Sequence, residues 1–309
     1  MLTKLISSFL LIGFSIAINA QNDLTEYNLK GKVKSVSEIS YKVILKSGEI
    51  LKVDEKGEMN SDDLELLLVF SDTGNLKEEC LYNPGGSIYN KSIYKYDDTG
   101  NKLKEYHYNS DSNLYLKYIY IYDDIGHVTE KNIYTLEENL DRKEIFNCDD
   151  TGNKTEVCSY NSAGKFQHKH IFKYDDTGNK TEESCYISDD SLQYKHSFKY
   201  DSIGNKTELY IKNYDGIPDQ KYVFKYDTTG NKVEESLYNS GILIFKCIYR
   251  YDAAGNKTED NKSEYESDGS IKLEKIYKYE SDNQNNWIKK IVFENEIPRY
   301  VIERKIEYY

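Results

Sequence analysis

Only three prolines, two methionines and one tryptophan occur in 309 residues. Proline, glycine and serine nowhere collect into a linker or a low-complexity tail. Five cysteines, Cys80, Cys148, Cys158, Cys185 and Cys247, are an odd set scattered over unrelated positions. They do not form a disulfide framework; mostly buried or half-buried thiols are expected, with room for one chance pair. Basic residues are outnumbered 41 to 53, giving a formal charge of −12. That balance excludes nucleic acid as a partner, because gripping phosphates needs a basic surface. The one long apolar run, residues 5–18, is too short for a membrane span. The nucleophile elbow G-x-S-x-G and the zinc motif H-E-x-x-H are both missing, and no Cys–His pairing stands out. The residues point to no catalytic site, no cofactor and no metal.

Tyrosine, by contrast, is abundant, with 31 residues, and it is ordered. The phrase YDDTGNKTE at residues 174–182 recurs along the chain, aligned on Gly74, Gly100, Gly126, Gly152, Gly178, Gly204, Gly230 and Gly255. The step is 26 residues, except for a last step of 25. A fixed period in this range signals stacked supersecondary units. Each unit reads as a β-hairpin: an alternating aromatic and β-branched run such as residues 170–174, the phrase, then a returning run such as 180–186. Within the phrase an Asp able to hydrogen-bond its own backbone precedes a Gly free to adopt positive φ, the chemistry of a type I turn with a glycine bulge. The second connections use similar residues: Asn83-Pro84-Gly85-Gly86, Asn161-Ser162-Ala163-Gly164, Asp215-Gly216, Ser267-Asp268-Gly269 and the shorter Asn239-Ser240-Gly241, which accounts for the short step.

Four residues before the glycine stand Tyr96, Tyr122, Tyr174, Tyr200, Tyr226 and Tyr251, with Phe70 and Cys148 in the same column. Two positions earlier stand Tyr94, Tyr120, Phe146, Phe172, Phe198, Phe224 and Tyr249. Residues two apart share a strand face, so the columns form an aromatic ladder. On the other face Ile93, Ile119, Ile145, Ile171, Val223 and Ile248 alternate with Lys95, Lys173, Lys199, Lys225 and Arg250. In the returning strand Glu79, Glu105, Glu183 and Glu235 are expected to meet those cations, each exposed pair contributing about 0.2–1 kcal/mol. One hairpin alone is marginal in water. The expected fold is therefore all-β: tandem 26-residue hairpins in one long antiparallel sheet that curls over its aromatic side as a shell or spiral, or closes into a soluble barrel.

Four regions follow. Residues 1–20 read as a secretory signal peptide: Lys4, an apolar run, then Asn19-Ala20 before Gln21. Removing Lys4 takes the charge from −12 to −13. Residues 21–63 form an N-terminal cap with strands at 32–41 and 43–53 and a polar loop at 54–63. The hairpin array spans 64–282. Residues 283–309 supply two capping strands, 287–293 and 299–309, that close the sheet edge; Trp287 stands where the repeats carry Lys. The pairs Asp97-Asp98, Asp123-Asp124, Asp149-Asp150 and Asp175-Asp176 have the look of calcium ligands, but turn chemistry explains them, and the second Asp is lost at Ser202, Thr228 and Ala253. His168, His170 and His196 lack the further ligands that zinc needs. A barrel in lipid requires an uninterrupted apolar face, which neither the last strand nor the Ile/Lys columns provide.

The recurrent Tyr-Asp-x-x-Gly at Tyr96, Tyr122, Tyr174, Tyr200, Tyr226 and Tyr251 resembles the YD repeat of the RHS family over residues from about 70 to 279. It differs in the Asn at Asn101, Asn153 and Asn179, where that family usually has Arg, and in its longer period. The chain as a whole is similar to the small exported RHS-like repeat proteins of Gram-negative bacteria. The resemblance implies a coiled sheet in a hollow shell and a periplasmic, cell-surface or secreted location; the toxic domain of large members has no room here. The resulting expectation is an exported, non-enzymatic protein presenting a Tyr-rich sheet, with the six YD tyrosines as candidate binding ladder and a polysaccharide or cell-surface protein as partner. No membrane span remains after signal cleavage. A structural scaffold of the envelope is the alternative, and an enzyme acting on a surface polymer would need a cleft with a unique carboxylate pair near a cap. Burial of the ladder separates the first two, since an enclosed ladder favours the scaffold.

Overall fold

The computed structural model describes residues 23–53, 65–83, 85–135, 139–187, 191–214, 218–253, 255, 257–266 and 268–309. The segment read as a signal peptide, the 54–63 loop, and Pro84, Asp215, Gly216 and Ser267 of the second connections lie outside the described residues. A single helical turn, α1 (Asp23–Glu26), precedes a long strand β1 (Val33–Lys46) and its short return β2 (Glu49–Lys52). The array follows as β3 (Glu65–Phe70), β4 (Leu76–Tyr82), β5 (Ile88–Tyr96), β6 (Lys102–Tyr108), β7 (Leu114–Tyr122), β8 (Val128–Thr135), β9 (Leu140–Cys148) and β10 (Lys154–Asn161). It continues with β11 (Phe166–Tyr174), β12 (Lys180–Ile187), β13 (Leu192–Tyr200), β14 (Lys206–Asn213), β15 (Gln220–Tyr226), β16 (Lys232–Asn239), β17 (Ile242–Tyr251) and β18 (Lys257–Tyr265). Last come β19 (Ile271–Ser281), β20 (Trp287–Glu294) and β21 (Ile297–Tyr308).

From β3 to β21 each strand pairs antiparallel with the next, and β1 then pairs with both β21 and β3. The sheet is thereby closed into a barrel of 20 strands, with β2 as a short hairpin extension of β1. Of the two forms expected for the sheet, the closed one is present. Strands 32–41 and 43–53 turn out to be one strand and a tight return: Ser47 and Gly48, at φ 53° and 84°, make the turn.

Local chemistry sets each hairpin. In the phrase at Asp175, the Gly178 N–H donates to the Asp175 carbonyl (3.0 Å) and the Asp175 N–H to the Asn179 carbonyl (2.9 Å). Gly178 has φ 83°, the left-handed conformation of the glycine bulge. Asp175 Oδ1 accepts from the Thr177 N–H, the Thr177 hydroxyl and the Asn179 N–H, while Asn179 Nδ2 donates to Asp175 Oδ2 and to Thr177 Oγ1. The same web recurs at Asp97, Asp149 and Asp227. These bonds favour the ionised carboxyl, and Asp227 is held at about 2, chiefly by its Thr229 partner.

One residue beyond the turn the ladder slips. Tyr174 faces Lys180, but Lys173 faces Glu182, so Thr181 is an extra residue, a β-bulge. Its hydroxyl donates to the carbonyl of Lys173 (3.3 Å), as do those of Thr129, Thr155 and Thr258 to their counterparts. The slip recurs in every hairpin from β3–β4 to β17–β18. It inverts part of the expected face assignment. Glu79, Glu105, Glu183 and Glu235 lie with the aromatic ladder, and the glutamates that meet the outer cations are one residue earlier. Glu182 bridges Lys173 (2.9 Å) and Lys195 (2.5 Å), Glu208 bridges Lys199 (2.8 Å) and Lys221 (3.1 Å), and Glu234 bridges Lys225 (2.9 Å) and Lys246 (3.1 Å).

The aromatic face is the concave one. Its side chains retain solvent area, yet burial raises Tyr94, Tyr120 and Tyr249 and lowers Lys154, whereas the first cause of the shift at Lys225 on the other face is its hydrogen bond to Glu234. A small apolar cluster joins Phe198, Leu209 and Ile211 on the wall, and the larger one is at the seam. There α1 lies over β3 and β4, and Leu24, Leu29, Val33, Val36, Leu68, Phe70 and Leu76 are buried together. This is why the first repeat carries Leu68 and Phe70 where later ones carry tyrosine: a helix covers them. The seam is also tied by polar groups. Asn286, 2% exposed, accepts from the Lys30 N–H (2.8 Å) and donates to the Lys30 carbonyl (2.8 Å) and the Tyr308 hydroxyl (2.8 Å). Arg304 stacks 3.5 Å above the Trp287 ring and pairs with Glu38. The Tyr309 hydroxyl donates to the Phe70 carbonyl (2.8 Å).

Two stability changes of opposite sign are expected. Ser112 holds φ 62° where most of the equivalent turns have glycine, so Ser112→Gly should raise the urea midpoint, while Gly178→Ala should cost about 1 kcal/mol, its added methyl meeting open space. A lowered midpoint for Ser112→Gly would refute the assignment of that conformation. Asn286→Ala should cost about 1–3 kcal/mol, because it strands buried backbone groups.

Candidate functional site

The inner wall of the barrel is built from four columns. At the rim of glycine turns sit the YD tyrosines, and one strand over sit Lys102, Lys154, Lys180, Lys206, Lys232 and Lys257. Deeper lie the second aromatic column and then the carboxylates Glu105, Glu183, Glu235 and Asp260. All six ladder tyrosines, Tyr96, Tyr122, Tyr174, Tyr200, Tyr226 and Tyr251, are on this wall, and each hydroxyl is committed within the fold. Tyr122, Tyr174, Tyr200, Tyr226 and Tyr251 donate to the carbonyls of Lys102, Lys154, Lys180, Lys206 and Lys232 at 2.7–2.8 Å. Tyr96 donates to Asp23 of α1 (2.8 Å). The physical need is local. Pairing of β12 with β13 begins at Glu182 and Ser197, so the Lys180 carbonyl beyond the bulge has no partner in β13. The Tyr200 hydroxyl reaches across and supplies one. Burial raises Tyr122, Tyr174 and Tyr200 to about 12.

The lysine side chains run inward along the wall and place their ammonium groups over the second aromatic column. Lys180 lies 5.3 Å from the Phe172 ring and 5.1 Å from that of Phe198; Lys232 lies 5.4 Å from Phe224 and 5.3 Å from Tyr249; Lys257 is 4.3 Å from Tyr249. Several also meet a carboxylate below: Lys102 with Glu105 (3.5 Å), Lys180 with Glu183 (2.8 Å), Lys257 with Asp260 (3.5 Å). Burial opposes ionisation of Glu105 and Glu183, but hydrogen bonds from His107 and His170 and the charges of Lys102 and Lys180 bring both down to about 2. Burial lowers Lys206 to about 8, helped by the charges of Lys180 and Lys232.

The register brings together one cluster that the spacing of residues in the sequence conceals. His170 faces Cys185, and Glu183 faces His196. Cys185 Sγ is 3.8 Å from His170 Nε2, and His170 Nδ1 is 3.5 Å from Glu183 Oε1 and 3.4 Å from the Tyr194 hydroxyl. The outline is that of a nucleophile, base and orienting acid, and only knowledge of the bulge would have predicted it. Its chemistry runs the other way. The thiol is 3% exposed, and burial raises its pKa, the reverse of an activated cysteine. β12 is paired on both sides, so the neighbouring backbone N–H groups serve the ladders rather than an oxyanion.

His168 packs 5.4 Å from His170, while His196 stacks on Tyr194 at 4.6 Å. Among the described residues no group of three His, Cys, Asp or Glu is placed to hold a metal ion. In the Asp-Asp pairs the first Asp is the turn acceptor at Asp97, Asp149 and Asp175, and the second, Asp98, Asp150 and Asp176, is exposed. All five cysteines are free, with Cys80, Cys185 and Cys247 buried.

Tyr200→Phe should lower stability by about 0.5–1.5 kcal/mol in urea unfolding, while the same change at exposed Tyr89 should be neutral. Equal effects would refute the hydroxyl tie. Because Glu105 and Glu183 sit at about 2 in the fold, below the ordinary 4.5, their contribution is present above pH 4.5 and lost as pH falls toward 2. The double variant Glu105→Gln, Glu183→Gln should flatten that acid limb of a stability profile; an unchanged slope would refute it.

No known protein family and no curated protein sequence matches the chain. Among solved structures, "Crystal Structure of TcdB2-TccC3-TEV" aligns with 83% of this chain at 9% identity and a TM-score of 0.37. A second, "Crystal Structure of TcdB2-TccC3-Cdc42", aligns with 90% at 13% identity and a TM-score of 0.34. The chain spans only 17% and 16% of those two proteins. A porin-like protein from Bacteroides uniformis ATCC 8492 aligns over 90% of this chain and 99% of its own, at 10% identity and a TM-score of 0.35. At such scores these likenesses assign neither family nor function.

Proposed function

We propose that this is an exported, non-enzymatic RHS-like barrel that takes a guest against its inner aromatic wall, a carbohydrate chain foremost. The observation that carries this reading is the state of the wall. Among the described residues, the strands whose backbones approach closely are ladder neighbours. Apart from Phe198, which is buried, the second-column rings from Tyr94 to Tyr249 keep part of their surface open to solvent. Twenty strands exceed the 16–18 of barrels that leave an aqueous channel. Aromatic rings edged by ammonium and carboxylate groups suit the mixed apolar and hydroxylated faces of sugars, and their repetition around the wall gives avidity to a polymeric guest.

The outer face supports work in water. Its repeated Lys–Glu–Lys bridges stand where a lipid-spanning barrel carries an apolar band, and a lysine at the bilayer midplane costs about 2–4 kcal/mol. A second reading, a scaffold with no small ligand, draws on the committed hydroxyls of the YD tyrosines, which act as structural ties.

The test is direct binding of residues 21–309 to a polysaccharide panel, beside Phe172→Leu, Phe224→Leu, which removes two rings but spares every hydroxyl tie. Binding to at least one polymer, weakened in a folded variant, is the expected result. No binding across the panel would leave the scaffold as the better account.

A further inference from the structure

The inner wall is not evenly charged. From β10 to β16 it carries four lysines, Lys154, Lys180, Lys206 and Lys232, against two carboxylates. Glu183 pairs with Lys180 and Glu235 with Lys232. The column that supplies those carboxylates holds Val157 and Leu209 in the two remaining repeats. Lys154 and Lys206 therefore form no ion pair among the described residues, although Glu144 stands near enough to Lys154 to act on its charge, and each has an aromatic ring beneath it. Lys154 is 5.0 Å from Phe146 and Lys206 is 5.0 Å from Phe198. An acidic protein thus holds a net positive arc on its concave side.

We infer that this arc, with Lys154 and Lys206 as its free cations, Phe172 and Phe198 between them and Phe146 and Phe224 flanking them, is a binding site for an anionic polysaccharide bearing carboxylate groups. The inference rests on the carbohydrate reading above and names the class of sugar. Successive lysines lie two strands apart, about 10 Å along the wall, and alternate with the phenyl rings. Each sugar ring can then meet a phenyl face while its acid group meets an ammonium. Two features make the free pair receptive. Lys206 is half-buried and Lys154 more open; an ammonium against an apolar wall without a close counter-charge is destabilised, and an incoming carboxylate supplies it. Neighbouring lysines at Lys180 and Lys232 add repulsion that an anion relieves. A neutral sugar offers neither.

The experiment compares an oligogalacturonate with its methyl ester, the same sugar without charge, on the full chain by calorimetry. The acid should bind at least about tenfold more tightly, the yield of two ion pairs of ordinary strength. Lys154→Gln, Lys206→Gln should abolish that advantage while leaving the ester unchanged, and Lys154→Arg, Lys206→Arg should retain it. The outward pair Lys173→Gln, Lys225→Gln should have no effect. Acid and ester binding equally would overturn the inference and leave the carbohydrate reading standing. Binding of neither would overturn both. An acid preference that survives the double Gln change would place the anion elsewhere and overturn this site.

Discussion

One slipped residue after each glycine turn decides what this protein shows to its two sides. Without the bulge at Thr181 and its equivalents, Glu182 would fall on the aromatic wall and Glu183 among the outer lysines. With it, the outer surface closes into a chain of Lys–Glu–Lys bridges and the inner one into rings, ammonium groups and a second set of carboxylates. Each bridge is weak on its own. Repetition around the barrel makes the pattern a strict specification of register, because a slip by one residue would invert it on both faces.

The phrase YDDTGNKTE can now be read letter by letter as physical chemistry. Tyr174 closes a carbonyl left open by the bulge of the preceding repeat, and Asp175 gathers three donors. Asp176 is solvated, Thr177 and Asn179 complete the web, and Gly178 supplies the positive φ. Lys180 crosses the inner rings, Thr181 is the bulge, and Glu182 holds two strands together on the outside. Little is left in the phrase that serves a ligand. Variation falls to the columns beside it, where Val157 and Leu209 interrupt a run of carboxylates.

The array, its period and the turn chemistry were legible in the residues because they depend on contacts a few positions apart. The side assignment of the glutamates was not, since the bulge residue Thr181 has the composition of ordinary strand and leaves no mark in the alternation. The pairing of His170 with Cys185 was hidden for the same reason. Closure was legible only as one of two options. It depends on β1 meeting β21 and on α1 covering Leu68 and Phe70, contacts between residues that no local pattern connects. The one helical turn gave no periodic signal, being too short for one.

The seam also sets a timetable for the chain's own making. Glu38 and Arg304 lie 266 residues apart, yet they share one salt bridge across the strands that complete the barrel. Neighbouring hairpins can zip as they emerge from the ribosome, whereas β1 stays without β21 until synthesis of the last strand. Throughout that interval the growing sheet has two bare edges, each a template for a stray strand. Residues exposed on that edge face the same hazard as any unfinished β-sheet, and this interval is the one that chaperones must cover.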